Sequence, residues 1–453
     1  MQHVSTTVTA LFAVLLVAMI LSLALEEKIH AKKSVIVGWF AAITLFLAAA
    51  FGLVHPETVE ILGHPVTLPV YIPGIDWEVI AIILGSSLFV DVTSKCGLFT
   101  WIAIKLTKAS RGDPLKLLVF YGVMTVVFSA VLNNVTAMII VGALSGVSLA
   151  KLRLTNKLLG FLLIEALLTN VGGLLTLISS VPNIIIGNAA GITFVTFFIK
   201  ASPYVAVATA VTIYMGARLF GIEALKGDTA KAEAASLVAG FDENDGIESA
   251  GFFRFGTAMT GLFIIAMASA SITPYVKDLG MGYVALTFAV IMLTRYKATA
   301  DRFYQAIDWD LLAFFGCLFI VINMMEHALV LELIGEGLKP IINLGETVGA
   351  SILLVASAVA SSVTDNIPLA AMLAKILGGL GLASDSPFWW AVIFGANLGG
   401  NITPIGSAST LVAVTIIHKH KLPLSFAAFV KASFPFAVLQ LALAAGYILV
   451  VLG

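Results

Sequence analysis

Residues 397–410 read Asn-Leu-Gly-Gly-Asn-Ile-Thr-Pro-Ile-Gly-Ser-Ala-Ser-Thr, a run of Gly, Pro and small hydroxyl or amide side chains between two apolar stretches. Inside a bilayer, backbone groups freed by such a break have no water to bond to. It survives only where it is buried in protein or lines a cavity. The pattern occurs twice. In the stretch from Asn170 to Asn183, Asn170 pairs with Asn397, Gly172 and Gly173 with Gly399 and Gly400, and Thr176 with Thr403, all at an offset of 227. Paired interruptions in two halves of an apolar chain point to a secondary transporter with internal repeats.

Composition agrees. Of 453 residues, 60% are hydrophobic and 11% charged, with a mean hydropathy of +1.05. Soluble domains carry about 25% charged residues, so the expected class is an all-α polytopic membrane protein. The near-zero net charge suggests no nucleic-acid face. Cys96 and Cys317 give neither a disulfide framework nor a metal-ligand spacing. No cofactor or metal is expected.

Residues 7–25 form an apolar run followed by Lys28, Lys32 and Lys33, the wrong charge order for a cleaved signal peptide. A retained first helix with its N-terminus outside a cell (inner) membrane is expected. Residues 34–54 return outward, and 76–104 cross back to Lys105, Lys108, Arg111 and Lys116. Basic clusters at both ends of 117–149 place both ends inside. A single helix of that length would span about 50 Å against a core of about 30 Å. A re-entrant hairpin with its tip near Asn133-Asn134-Val135-Thr136 resolves the conflict. A broken helix over 157–190 and a span over 203–220 complete a first unit, 1–220.

Residues 221–253 read as a polar cytoplasmic linker. The unit 254–453 repeats the plan with spans at 254–273 and 281–294, a hairpin at 347–376, a broken helix at 387–417 and a last span at 425–452. Ile307-Asp308-Trp309-Asp310 echoes Ile75-Asp76-Trp77-Glu78. Asp76 and Asp308 are expected as helix caps with interfacial Trp neighbours. With ten spans and two hairpins, each half holds five spans, so the second half is inverted. That placement puts 20 of the 25 Lys and Arg residues on the cytoplasmic side.

Tips and breaks meeting near mid-bilayer make a pocket of helix dipoles, amides and hydroxyls. Its expected substrate-binding members are Asn133, Asn134, Thr136, Asn170, Gly172, Gly173, Thr176, Ser179, Ser180 and Asn183 from the first half. The second half supplies Thr364, Asn366, Asn397, Gly399, Gly400, Asn401, Thr403, Ser407 and Thr410. The alternative for each is a plain capping role. An intramembrane carboxylate is costly and by default functional. Asp365 at the second tip and Glu165 in the first broken helix are therefore the proton-coupling candidates. Asp91 and Lys95 fit an i,i+4 pair, and Glu326, His327 and Lys375 fit the solvated outer boundary.

Asn133-Asn134-Val135-Thr136, Thr169-Asn170-Val171-Gly172-Gly173 with Pro182-Asn183, Asp365-Asn366-Ile367-Pro368 and Gly399-Gly400-Asn401 with Thr403-Pro404-Ile405-Gly406-Ser407 resemble the ion transporter superfamily, in its arsenite permease and melanosomal P protein branch. The likeness covers roughly residues 34–452. It implies an elevator-type carrier, often dimeric, with a soluble ATPase as partner in some members. P-protein-like members carry Asp at the first tip and Gly-Asp-Pro-Pro-Asn after the first break. Here Asn133 and Ser179-Ser180-Val181-Pro182-Asn183 stand there, which leaves few anionic oxygens for sodium. A small inorganic solute such as arsenous acid suits hydroxyl and amide partners. The expectation is proton-coupled export of arsenite or antimonite, with a sodium/proton antiporter or small-anion carrier as the competitor. A channel fits two opposed hairpins less well. No enzyme motif is present.

Overall fold

Side-chain caps set the ends of most long helices in the computed structural model, which describes residues 4–61, 64–364 and 366–452. In the first half run α1 (Thr6–Ala24), α2 (Glu26–Ile29), α3 (Lys33–Ala50), β1 (Glu57–Ile61), β2 (His64–Leu68), α4 (Trp77–Ser94), α5 (Leu98–Ser110), α6 (Pro114–Val131), α7 (Asn134–Lys151), α8 (Leu158–Gly172), α9 (Val181–Ala190) and α10 (Phe194–Leu219). Between the halves lies α11 (Asp228–Ala239). There follow α12 (Ala250–Ser269), α13 (Val276–Leu293), α14 (Asp301–Ala306), α15 (Trp309–His327), α16 (Val330–Ile342), α17 (Gly345–Val363), α18 (Asn366–Gly379), α19 (Pro387–Gly399), α20 (Ala408–Lys419) and α21 (Phe426–Tyr447).

The duplicated Asp-Trp pairs do the same work twice. Asp76 accepts from Val79 N at 3.2 Å and Asp308 from Leu311 N at 2.9 Å, each satisfying an orphan donor of a first turn. Trp77 and Trp309 each donate their indole N–H to a carbonyl five residues upstream.

Among the described residues, eleven helices are long and apolar enough to cross a membrane. Three of them, α6, α7 and α17, fall where hairpin arms are expected, and the other eight, with the discontinuous pairs α8–α9 and α19–α20, fall on the ten segments expected to span.

Packing is reciprocal. The pair α4–α13 has its counterpart in α15–α3, α6–α8 in α17–α19, α9–α18 in α20–α7, and α10–α8 in α21–α19. The two halves thus pack as equivalents in one helical assembly.

Four sequence expectations need correction. Residues 76–104 are two helices, because Gly97 takes φ 84° and turns the chain between α4 and α5. The turn is sealed, since a Cβ on Gly97 would lie 2.2 Å from Gly246 O. The span placed at 203–220 begins at Phe194, where Thr193 caps α10, and Pro203 is carried inside that helix. Between the stretches expected to span at 34–54 and 76–104, where no element is expected, β1 and β2 pair into an antiparallel hairpin, Glu57 opposite Leu68, so the molecule is not wholly helical. The linker carries α11 and ends earlier than Phe253, because Ser249 caps α12.

Candidate functional site

At the first break, α8 ends at Gly172 and two residues further on lock the freed backbone. Asn183 Nδ2 donates to Gly173 O (2.6 Å) and Thr176 O (3.0 Å), and the Ser179 hydroxyl lies 2.6 and 2.7 Å from the same two carbonyls. The second break is held similarly. Ser407 caps α20, and the Thr410 hydroxyl lies 2.7 Å from Ser407 O and 3.2 Å from Pro404 O. For Ser179 and Thr410, then, the capping role is the one observed. Ser180 opens α9 without a side-chain cap.

Each tip is stitched to the break of its own half. The Ser129 hydroxyl sits 2.7 Å from both Asn134 Oδ1 and Thr169 O, and Thr176 donates to Ala130 O at 2.6 Å. In the second half Ser361 donates to Ala396 O and Thr403 to Ser362 O, each at 2.6 Å. Glycine permits the approach. A Cβ on Gly172 would lie 2.7 Å from Val126 Cα and O, and one on Gly399 would lie 2.3 Å from Ala358 O. On Gly173 it would meet the Asn134 amide at 2.7 Å, and on Gly400 the Ser407 Cβ at 2.8 Å.

The two breaks then bind each other through side chains. Asn170 Nδ2 donates to Asn401 Oδ1 (2.8 Å) and Ser407 Oγ (3.1 Å), while Ser409 Oγ donates to Asn170 Oδ1 (3.1 Å). Asn397 Nδ2 donates to Asn183 Oδ1 at 2.8 Å. All four asparagines are essentially buried. Such amide pairs in a low-dielectric interior hold their partners in one geometry.

Sequence reasoning missed how far this network extends. Asn401 Nδ2 reaches Gln440 Oε1 on α21 at 2.8 Å, and Gln440 Nε2 donates to Thr212 on α10 at 2.9 Å. A lone Gln inside the apolar run 425–452 was the available signal.

Not every predicted member joins. Asn133 is the exposed cap of α7, bonded to Thr136 N, and Thr136 and Asn366 are half-buried beside their tips. Thr364 turns back onto Ala360 O. Asp365 lies outside the described residues. Glu165 is completely buried on α8, where Ser145 of α7 donates to its Oε1 at 2.5 Å and its Oε2 has no partner. Asp91 and Lys95 form no ion pair among the described residues, whereas Lys375 and Glu326 pair with each other at 3.0 Å.

Among the described residues no group of His, Cys, Asp or Glu could hold a metal ion, and the two breaks contain no Lys, Arg or His. One acceptor stands open: Asn397 Oδ1 is buried without a hydrogen-bond donor. A separate groove of about 1170 Å³ runs between α6 and α10, lined mostly by Val, Ala and Ile, and takes in none of the cross-break amides.

A family model described as citrate transporter matches residues 1–395. An uncharacterised transporter of Mycobacterium tuberculosis is 29% identical over 429 residues, covering 90% of this chain and 97% of its own. The human P protein is 25% identical over 528 residues, covering 99% of this chain and 60% of its own. Among solved structures, the Alcanivorax borkumensis YdaH transporter superposes with a TM-score of 0.61 at 12% identity, covering 93% of this chain and 98% of that one. Neisseria gonorrhoeae MtrF, described as an antimetabolite efflux pump, gives 0.52 at 12% identity, covering 93% and 95%.

Proposed function

The chain belongs to the citrate transporter family, within the ion transporter superfamily, and we propose that this membrane transporter is a proton-coupled secondary carrier exporting arsenite or antimonite. In this proposal the two halves are inverted repeats, and the tips and breaks move as a unit past the remaining helices in an elevator-type step. Asp365 carries the coupled proton with Glu165.

The observation that carries the choice of solute is the open Asn397 Oδ1 among uncharged amides and hydroxyls. An unpaired buried acceptor costs about 1–3 kcal/mol. A neutral solute with O–H donors, such as arsenous acid, relieves that cost. A multiply charged carboxylate brings only acceptors and meets no cationic side chain at the breaks. The test is flux in proteoliposomes of inverted orientation. Arsenite accumulation should require an acid interior and fall to background in Asn397→Ala and Asp365→Asn. Accumulation indifferent to the proton gradient would sink the coupling, and no accumulation would sink the solute.

A second reading, a carboxylate carrier, has one observation in its favour. The N-terminus of α9 has no side-chain cap, and such termini attract anions. The family's description as citrate transporter points the same way. Citrate or succinate uptake in the same vesicles, with arsenite inert, would select it.

A further inference from the structure

Glu165 is separated from the linker face of the molecule by a file of buried hydroxyls. Ser145, which donates to Glu165 Oε1, lies three residues before Ser148 on α7, so the two sit on one helix face. The Ser148 hydroxyl is 2.8 Å from the Tyr121 hydroxyl of α6, and that is 2.8 Å from Thr107 Oγ1 of α5. Thr107 O accepts from Ser110, whose hydroxyl in turn accepts from Gly112 N in the turn before α6. Glu165, Ser145, Tyr121, Thr107 and Ser110 are completely buried, and Ser148 is 4% exposed.

A structural role explains each hydroxyl singly, since a buried O–H needs a partner. It does not explain why two bonded stretches, Glu165–Ser145 and Ser148–Tyr121–Thr107, follow one another along one face of α7 from a carboxyl with one unpartnered oxygen toward the turn at residues 110–113. We propose that Glu165 is a proton-loading residue of this carrier, filled from the linker face through Thr107, Tyr121, Ser148 and Ser145. This deepens the function proposed above and rests on its proton coupling.

The step balances. Each hydroxyl accepts a proton on an oxygen lone pair and passes its own to the next. A proton taken from solvent at the linker face is thereby delivered onto Glu165 Oε1, the oxygen that Ser145 faces, and the file is left with its O–H bonds reversed. No hydrogen bond links Ser145 to Ser148, and the step requires a solvent water to bridge them. Protonation neutralises the one carboxylate on α8, seven residues or about 10 Å from its start at Leu158. An unpaired charge there is costly to carry through a bilayer.

Other titratable groups flank the file. Tyr121 faces it from α6, and His420 at the end of α20 lies against Gly146 of α7, where a Cβ would come within 2.7 Å of Nε2. From α10 the Tyr204 hydroxyl is committed to Gln440 O, and α19 brings no titratable residue. At the mouth stand Asp113, Lys105, Lys108 and Glu243.

The test is pH-jump infrared difference spectroscopy on the full-length protein in liposomes, which reads protonated carboxyl directly and needs no solute. The wild type should gain a protonated-carboxyl band on acidification, and Glu165→Gln should lose a component of it. Tyr121→Phe should retain that component but slow its rise roughly tenfold or more. Ser145→Ala should shift its frequency, which keeps the assignment testable should the Gln variant not fold. A spectrum unchanged in Glu165→Gln or Ser145→Ala would overturn the loading role, and a wild-type rate in Tyr121→Phe would overturn the route. Arsenite-driven proton flux is measured in parallel on the wild type. Its absence alongside an intact Glu165 band would refute the coupled export and leave the loading role standing.

Discussion

The edge formed by α9 and α18 and the edge formed by α20 and α7 are counterparts in the two halves, yet they meet the rest of the molecule differently. On the first edge, α9 packs on α4 and α18 on α15. Asn188 of α9 donates to Asp76, the cap of α4, at 2.9 Å, and Lys375 of α18 pairs with Glu326 of α15. On the second edge, among the described residues, α7 and α20 pack on each other and on α8 but make no comparable packing on α4 or α15. In the alternating-access reading proposed above, equivalent units in inequivalent surroundings correspond to one end of the cycle, with the hairpin-strand face closed and the linker face open.

The largest expected effect comes from forbidding the exchange. In a background with Cys96 and Cys317 replaced by Ala, Asp76→Cys with Asn188→Cys joined by a short bis-thiosulfonate cross-linker should abolish flux, and reductive cleavage of its disulfides should restore it. Flux that survives cross-linking would mean the first edge never opens. Next in size are the tight crossings. Gly172→Ala and Gly399→Ala each drive a methyl into backbone, at a typical overpacking cost of about 1–3 kcal/mol. Thermal unfolding in detergent should show both destabilised, with Gly399→Ala the worse because its contact is shorter. If either variant proves neutral, the halves do not pack as equivalents at the tips.

What could be read in the sequence, and what could not, follows from contrast. The breaks stood out because Gly, Pro and amides are foreign to apolar helices, and the duplicated Asp-Trp pairs because capping chemistry is local. The turn at Gly97 was invisible, since Cys96, Leu98 and Phe99 keep the apolar run continuous while one positive φ angle divides it. The pairing of β1 with β2 was hidden because Pro65 within β2 and Pro69 just after it argue locally against a strand. At the site, the asparagines were legible as a group. Which of them bind across the breaks depends on register between distant helices, which no local pattern encodes. Gln440 and Thr212 enter for that reason only.

A smaller effect separates latch from lock. Lys375 and Glu326 have side chains about half exposed, at 52% and 50%. Such a pair contributes at most about 1 kcal/mol, a population factor of about five. Lys375→Ala should therefore raise the share of molecules open on the hairpin-strand face by up to about fivefold and leave the fold intact. Labelling of a cysteine at position 188 in the Cys96→Ala, Cys317→Ala background would report it. A change far beyond that would mean the ion pair is a structural hinge.

The smallest effect concerns the face with no such latch. The linker is docked there by Glu243, which accepts from both Lys105 (2.8 Å) and Lys108 of α5. Those two ammonium groups hold its carboxyl well below the ordinary carboxylate value, at about 2. A depressed acid contributes its stability above its unfolded value and loses it as pH falls through the folded one. Docking should therefore be complete at neutral pH, persist at pH 4 and fail only on approach to about 2. Hydrogen exchange of residues 228–249 should be as slow at pH 4 as at pH 7, after correction for intrinsic rates, and Glu243→Gln should speed it at both. Release already by pH 4 would show that the open face is held by something other than this pair of lysines.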